Sequence, residues 1–136
     1  MSALKFWVWL TEQNRLGGPA RQALLEHFCS TEEVYYAEPG DLLQVEGITA
    51  DQVQALENKS LDRAQSILEE CARKDIFFLT AQDALYPQRL KNIYDPPLLL
   101  YGRGSMPLFD EEAAVAVVGT RSCSPYGIRT AERFGF

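Results

Sequence analysis

Residues 113–127, AAVAVVGTRSCSPYG, constrain the fold of this chain more than any other stretch. Residues 113–118 form an unbroken apolar run rich in β-branched side chains, typical of a strand that a parallel sheet buries on both faces. Such a strand needs neighbours, and a parallel neighbour requires a crossover of a dozen or more residues. Since the sequence stops at Phe136, inside the helix expected next, we expect the N-terminal part of a longer protein with an incomplete second domain.

The residues after this run combine features that suit a phosphate. Gly119 and Thr120 are small, Arg121 is a forked cation, and Ser124 with Pro125 predicts the N-cap and first residue of a helix. A small-residue turn before a helix start can hold phosphate. An ordinary strand-to-helix turn, with its arginine paired to a carboxylate, is the alternative interpretation. The G-x-G-x-x-G fingerprint is absent, so we expect no dinucleotide cofactor.

The charge distribution restricts where a polyanion could bind. The 136 residues carry a formal net charge of −6, which argues against a protein that coats nucleic acid through bulk positive charge. The balance changes near the C-terminal end, where the stretch from Gly119 onward holds three arginines and one glutamate, namely Arg121, Arg129, Arg133 and Glu132. We therefore expect any site for a polyanion to be local and to lie in this stretch.

Cysteine and histidine usage gives no sign of metal binding or catalysis. Cys29, Cys71 and Cys123 are widely spaced and form no C-x-x-C, so we expect a reducing, cytoplasmic setting with no disulfide framework and no metal. Cys71 lies on an apolar helical stripe and is expected in the core, and His27 is expected on a helix surface or at the core edge. We also expect no signal peptide, no membrane span and no catalytic residue.

The first half of the chain has the periodicity of short helices. Six helical stretches are expected, at about 3–14, 19–28, 30–37, 39–44, 49–57 and 61–74. The turn at Gly47, before a helix capped by Thr49, resembles the helix-hairpin-helix element, in which turn amides contact a phosphate. The acidic residues Glu46 and Asp51 favour a hairpin used for packing or protein contact, and both interpretations stay open.

Strand patterns replace the helical ones after about residue 74. Residues 76–79 and 98–101 are short apolar runs that predict strands, with an irregular or briefly helical segment between them. We therefore predict two domains, residues 1–72 and residues 73–136.

Two motifs resemble those of the DNA-processing protein A family (DprA, also called Smf). The first is the pattern Tyr86-Pro87, Leu90, Asp95, Pro97, Leu99, Tyr101-Gly102, and the second is Gly119-Thr120-Arg121 followed by Tyr126-Gly127. The resemblance implies an α/β protein: an all-α N-terminal domain of sterile-alpha-motif (SAM) type with helix-hairpin-helix character, then the truncated start of a Rossmann-like parallel α/β domain. It also implies a mediator, not an enzyme, that binds single-stranded DNA, protects incoming DNA and loads RecA during natural transformation.

The same resemblance assigns roles to individual residues. Arg121 would grip the DNA backbone, Gly119 and Thr120 would shape the turn, and Tyr126 and Gly127 would form the helix entry. Threonine in place of the family's serine at position 120 keeps the hydroxyl. The implied partners are single-stranded DNA, RecA and a second copy of the protein, the last through family elements that have no counterpart in this sequence.

Two other functions fit the sequence. Nucleotide phosphoribohydrolases, which are enzymes, also have a Rossmann-like domain in which a strand is followed by the tripeptide Gly-Ser-Arg or Gly-Thr-Arg. Their acidic, glycine-rich catalytic motif would come later than Phe136. A helical protein-interaction module is the other alternative, supported by the acidic N-terminal half.

Overall fold

The computed structural model describes residues 3–135, which form eight helices and two strands within that range. In chain order these are α1 Leu4–Thr11, α2 Gly18–Phe28, α3 Thr31–Tyr36, α4 Pro39–Leu42, α5 Ala50–Leu56, α6 Asp62–Arg73, β1 Ile76–Thr80, α7 Gln88–Lys91, β2 Leu99–Arg103 and α8 Pro125–Phe134.

Side-chain caps begin the short helices α3 and α5. The Ser30 hydroxyl accepts a hydrogen bond from the Glu33 amide at 3.1 Å, and Thr49 and Gln52 cap each other's backbone amides reciprocally. These bonds satisfy N–H groups that have no partner within the helix. The structure thus confirms the helical periodicity expected before residue 74.

A single apolar core joins the helices to the strands. Helix α1 buries five consecutive residues, 6–10, and packs against α3 and α6. Leu99, the first residue of β2, and Leu98 before it belong to the same buried cluster as Trp7 and Val8. Cys71 is buried in α6, as its place on the apolar stripe predicted. The strands therefore share a core with the helical half, and the division into residues 1–72 and 73–136 stays a prediction.

Strands β1 and β2 pair as an antiparallel hairpin, with Phe78 opposite Tyr101. The two strands expected from the apolar runs are confirmed, each within two residues of its predicted bounds. Across the hairpin, the Phe77 ring covers Gly102, where a Cβ would collide with it. Glycine at position 102 thus leaves room for an aromatic side chain on the facing strand.

The prediction of a strand at 113–118 is not met in the described structure. These residues are exposed and form no ladder, and Val115 and Val118 are 80% and 89% exposed. A strand requires hydrogen bonds to a neighbour, and in residues 3–135 no parallel strand lies beside this run. The described architecture is a mixed α/β arrangement with a small antiparallel sheet. Among the described residues no helix is both long and apolar enough to cross a membrane.

Candidate nucleic-acid interface

Helix α8 begins where the sequence predicted it to begin. The Ser124 hydroxyl accepts a hydrogen bond from the Gly127 amide at 3.2 Å, and Pro125 is the first helical residue. The N-cap and a proline at this position both favour helix initiation. The Gly127 amide therefore donates the capping hydrogen bond. Tyr126 lies in the first turn with 72% of its surface exposed.

The residues before this helix present an exposed cation. Gly119, Thr120 and Arg121 are all exposed, and a side chain at Gly119 would meet nothing within 4 Å. In the described part of the chain Arg121 forms no ion pair with a carboxylate, so the alternative of a paired arginine finds no support there. The guanidinium is open to a ligand, with room beside Gly119 for close approach to the backbone.

A groove along α8 places an aromatic ring beside a second cation. Tyr126, Thr130, Arg133 and Phe134 line a cavity of about 420 Å³, and the Thr130 hydroxyl donates to the Tyr126 carbonyl at 2.9 Å. Tyr126 and Arg133 are seven residues apart, so two helical turns bring them to one face. An exposed ring and a guanidinium that line one groove can stack on a base and neutralise a phosphate.

Sequence reasoning missed Arg133 as a site residue. The signal that could have found it is the seven-residue spacing from Tyr126 on a helix that Ser124 and Pro125 already predicted. Arg121 does not line this groove. The structure thus brings Tyr126 and Arg133 together, whereas Gly119, Thr120 and Arg121 lie in the exposed segment that precedes the helix.

The first sequence motif, from Tyr86 to Gly102, serves structure in the described residues. The Tyr86 side chain is buried, and its hydroxyl donates to the Pro97 carbonyl at 2.6 Å. Burial raises the pKa of the Tyr86 phenol, and the Lys91 ammonium lies 5.6 Å from the centre of its ring. These contacts close the connection between the two strands, so Tyr86 and Pro97 shape the hairpin rather than offer a surface to a ligand.

The helical hairpin at Gly47 keeps the geometry that its sequence predicted. Gly47 has a φ of +86°, a conformation that side chains rarely adopt, and helix α5 starts three residues later. Glu46 and Asp51 are exposed on either side of the turn. This acidic setting favours packing or protein contact over DNA contact at the hairpin.

No set of three or more metal-ligating side chains clusters in the part of the chain that the structure describes. His27 is exposed on α2, where the sequence placed it. The His27 ring also packs against that of Phe28, with 4.7 Å between the ring centres.

Comparisons with known proteins point to one family. A family model described as DNA recombination-mediator protein A matches residues 77–136. The DNA processing protein DprA of Bacillus subtilis is 31% identical over 85 residues, which are 59% of this chain and 29% of that protein. Protein Smf of Synechocystis is 30% identical over 129 residues, 91% of this chain and 32% of that protein. No solved structure matches the chain.

A third relative matches a shorter stretch of the chain at higher identity. The DNA processing protein DprA of Streptococcus pneumoniae is 43% identical over 51 residues, 38% of this chain and 18% of that protein. The chain thus spans less than a third of the length of each of these relatives. The match of residues 77–136 to this family model and the similarity to the DprA and Smf proteins support the chain as a fragment related to the DNA recombination-mediator protein A family.

Proposed function

We propose that this chain is part of a recombination mediator that binds single-stranded DNA, protects incoming DNA and loads RecA during natural transformation. The observation that carries the proposal is the exposed Arg121, which forms no ion pair within residues 3–135, followed by the Tyr126 and Arg133 groove, all within the residues that match the family. A role in DNA processing is supported by the family match, and the choice of single-stranded DNA rests on the chemistry of these side chains.

The chemistry favours a flexible single strand over a duplex. A guanidinium binds a backbone phosphate through a fork of N–H donors, and an exposed tyrosine stacks on an unpaired base without reading its sequence. In a duplex the bases are already stacked, so Tyr126 would gain little. We therefore expect binding without base specificity, with an affinity that falls as salt rises.

The charge distribution favours a DNA site at the C-terminal end of the chain. The helical half carries more carboxylates than cations, whereas the stretch from Gly119 onward holds three arginines and one glutamate. A polyanion would be repelled by the first surface and attracted by the second. The helical half is then free for packing or protein contact.

Further parts of the proposal rest on the resemblance to the family. We propose a SAM-like fold for residues 1–72 and the start of a Rossmann-like domain for residues 73–136. We also propose a mediator that works by binding and not by catalysis, a cytoplasmic location, RecA as a partner, and a homodimer that forms through family elements beyond the matched segment.

The test is a titration of fluorescently labelled oligonucleotides, single-stranded and double-stranded and of equal length, into the 136-residue chain and into the complete gene product. We expect the complete gene product to bind the single strand more tightly, with a linear fall of log affinity with log salt. Equal affinity for the two forms, or an affinity that salt does not change, would contradict the proposal. Binding by the complete product alone would place part of the working site outside residues 1–136.

A further inference from the structure

The Asp110 carboxylate accepts hydrogen bonds from the start of helix α7, more than twenty residues earlier in the chain. One carboxylate oxygen, Oδ2, accepts a hydrogen bond from the Gln88 amide at 2.9 Å, and Oδ1 accepts one from the Arg89 amide at 3.2 Å. The Arg89 guanidinium donates through Nη2 to the Asp110 carbonyl at 2.9 Å, and its Nε lies 4.0 Å from Oδ1. Both side-chain oxygens and the carbonyl of Asp110 are thus engaged by two neighbouring residues.

These three bonds connect the candidate interface to the rest of the chain. Within residues 3–135, the other hydrogen bonds of the stretch 105–135 stay inside that stretch, such as Glu111 to Leu108 and the bonds of α8. The two strands end their pairing at Arg103. In the described structure, the Asp110 bonds are therefore the polar link between the segment that carries Arg121 and the earlier residues.

Residues on both sides of Asp110 line one cavity with α7 and β2. Phe109 and Ala114 line a cavity of about 330 Å³ whose other walls are Pro87, Arg89, Leu90 and Leu100. This cavity is shared between α7, β2 and the segment after Gly104. The hydrogen bonds of Asp110 lie beside this cavity, and a bidentate acceptor fixes the orientation of its two donors.

The charge of Asp110 matters to this link. Hydrogen bonds from the Gln88 and Arg89 amides lower the pKa of the Asp110 carboxyl, although some desolvation opposes them. The neighbouring carboxylates, Glu111 and Glu112, are exposed and make no side-chain hydrogen bond in the described part of the chain. Of the three acidic residues in this run, Asp110 alone has a side-chain hydrogen-bond partner there.

We infer that Asp110 is a positioning residue. Its hydrogen bonds to Gln88 and Arg89 fix the point at which residues 111–121 extend from the core, and they thereby influence where Arg121 lies. The DNA consequence rests on the proposed function, whereas the positional effect does not. Asp110 would not touch DNA itself, since a carboxylate repels phosphate. Loss of these hydrogen bonds would leave Arg121 chemically intact but less precisely placed.

The positional effect can be measured without DNA. Spin labels are placed at Cys29, which is exposed, and at a cysteine introduced by Glu112→Cys, with Cys71→Ala and Cys123→Ser to remove the other thiols. We expect a narrow distance distribution in this parent and a broadened one after Asp110→Ala. Glu111→Gln is the matched control, because it removes one negative charge from the adjacent residue without removing a contact. An unchanged width after Asp110→Ala would overturn the inference.

A second variant covers the case in which alanine disturbs folding. Asp110→Asn keeps the shape but leaves one acceptor oxygen, since the amide nitrogen cannot accept, so we expect faster amide exchange at Gln88 or Arg89 and partial broadening. Hydrogen-exchange rates at both amides equal to those of the parent would count against a role for these hydrogen bonds. Circular dichroism checks that the helical half is intact in every variant.

The DNA consequence is read separately, on the complete gene product. We expect Asp110→Ala to weaken single-strand binding although it removes a negative charge, while Glu111→Gln leaves binding equal or slightly stronger. Tighter binding after Asp110→Ala would show a simple charge effect and refute the positional role in DNA binding. If the unaltered protein binds no single strand, the proposed function fails, and the distance measurement still decides whether Asp110 positions the segment.

Discussion

The Asp95 carboxylate occupies the space in which a side chain at Gly18 would lie. Gly18 is the first residue of α2, and Asp95 opens the Asp-Pro-Pro sequence of the family-matched segment. Burial lowers the pKa of Arg21, on the same helix, and the nearby charge of Asp95 opposes that shift. The Arg21 guanidinium also donates to the carbonyls of Thr11 and Gln13. Asp95, in the family-matched part of the chain, thus lies against the first turn of α2 in the helical half.

This contact predicts that Gly18→Ala destabilises the protein. The new methyl group would displace the Asp95 side chain, an overpacking cost of about 1–3 kcal/mol in the free energy of unfolding. Chemical denaturation measures the change. Gly40→Ala is the control, because a side chain there meets nothing within 4 Å. The double variant Gly18→Ala, Asp95→Ala should recover part of the loss; a loss of the same size in the double variant would rule out the steric explanation.

A second steric prediction concerns the hairpin. Gly102→Ala should force the Phe77 ring off the facing strand and lower the free energy of unfolding by about 1–3 kcal/mol. Thermal or chemical denaturation checks it against Gly119→Ala, which adds the same methyl group in open space. We expect the control to unfold like the parent. Equal stability of the two variants would show that the ring moves aside at no cost.

Removal of the Tyr86 hydroxyl should leave the Pro97 carbonyl without its donor. Loss of this hydrogen bond in Tyr86→Phe should cost about 1 kcal/mol in the free energy of unfolding at neutral pH. Tyr94→Phe is the control, since that side chain is 88% exposed and its loss of a hydroxyl should change nothing. A Tyr86→Phe variant as stable as the parent would mean that the bond contributes no net stability.

The same variant carries a pH dependence. Burial raises the folded-state pKa of Tyr86, so above an unfolded-state pKa of about 10 the unfolded chain loses its proton first. The stabilisation from the neutral phenol is therefore complete below about pH 10 and is lost as pH rises through the folded pKa. Denaturation curves recorded as pH is raised through this range should fall more steeply for the parent than for Tyr86→Phe. Parallel curves would contradict this assignment.

Arg121→Ala should weaken single-stranded DNA binding by the complete gene product and reduce its salt dependence. Loss of one phosphate contact lowers the slope of log affinity against log salt by about 0.7. Fluorescence anisotropy at several salt concentrations measures this slope. Arg15→Ala, an exposed arginine of the helical half, removes the same charge and should leave the slope unchanged. An equal effect of both variants would indicate long-range charge and not a contact.

Tyr126→Ala should weaken the same binding by a different route. A lost base-stacking contact costs about 1–3 kcal/mol, and because tyrosine carries no charge, the salt slope should stay as it is. Tyr126→Phe keeps the ring and should bind like the parent, whereas Tyr94→Ala removes an exposed ring elsewhere and serves as the control. A change of slope in Tyr126→Ala would instead point to a rearranged α8.

Local patterns in the sequence were enough to predict most of the elements. The start of α8 at Pro125, the cap of α5 by Thr49 and the two strands of the hairpin were found where propensity and capping residues predicted them. These features depend on residues within a few positions of one another, so the sequence carries them directly. The open guanidinium of Arg121 was predicted as a site but its geometry was not, because nothing local tells which distant groups lie near it.

Tertiary structure decided the features that join distant parts of the chain. The expected strand at 113–118 is exposed in the described residues because a strand needs a partner that local pattern cannot supply. Asp110 is one of three consecutive acidic residues in the sequence. Its hydrogen bonds to Gln88 and Arg89 form because the fold brings together residues that are 21 or 22 positions apart. In the same way Asp95 and Gly18 are ordinary residues in sequence, and their contact exists because a common core brings the helices and the hairpin together.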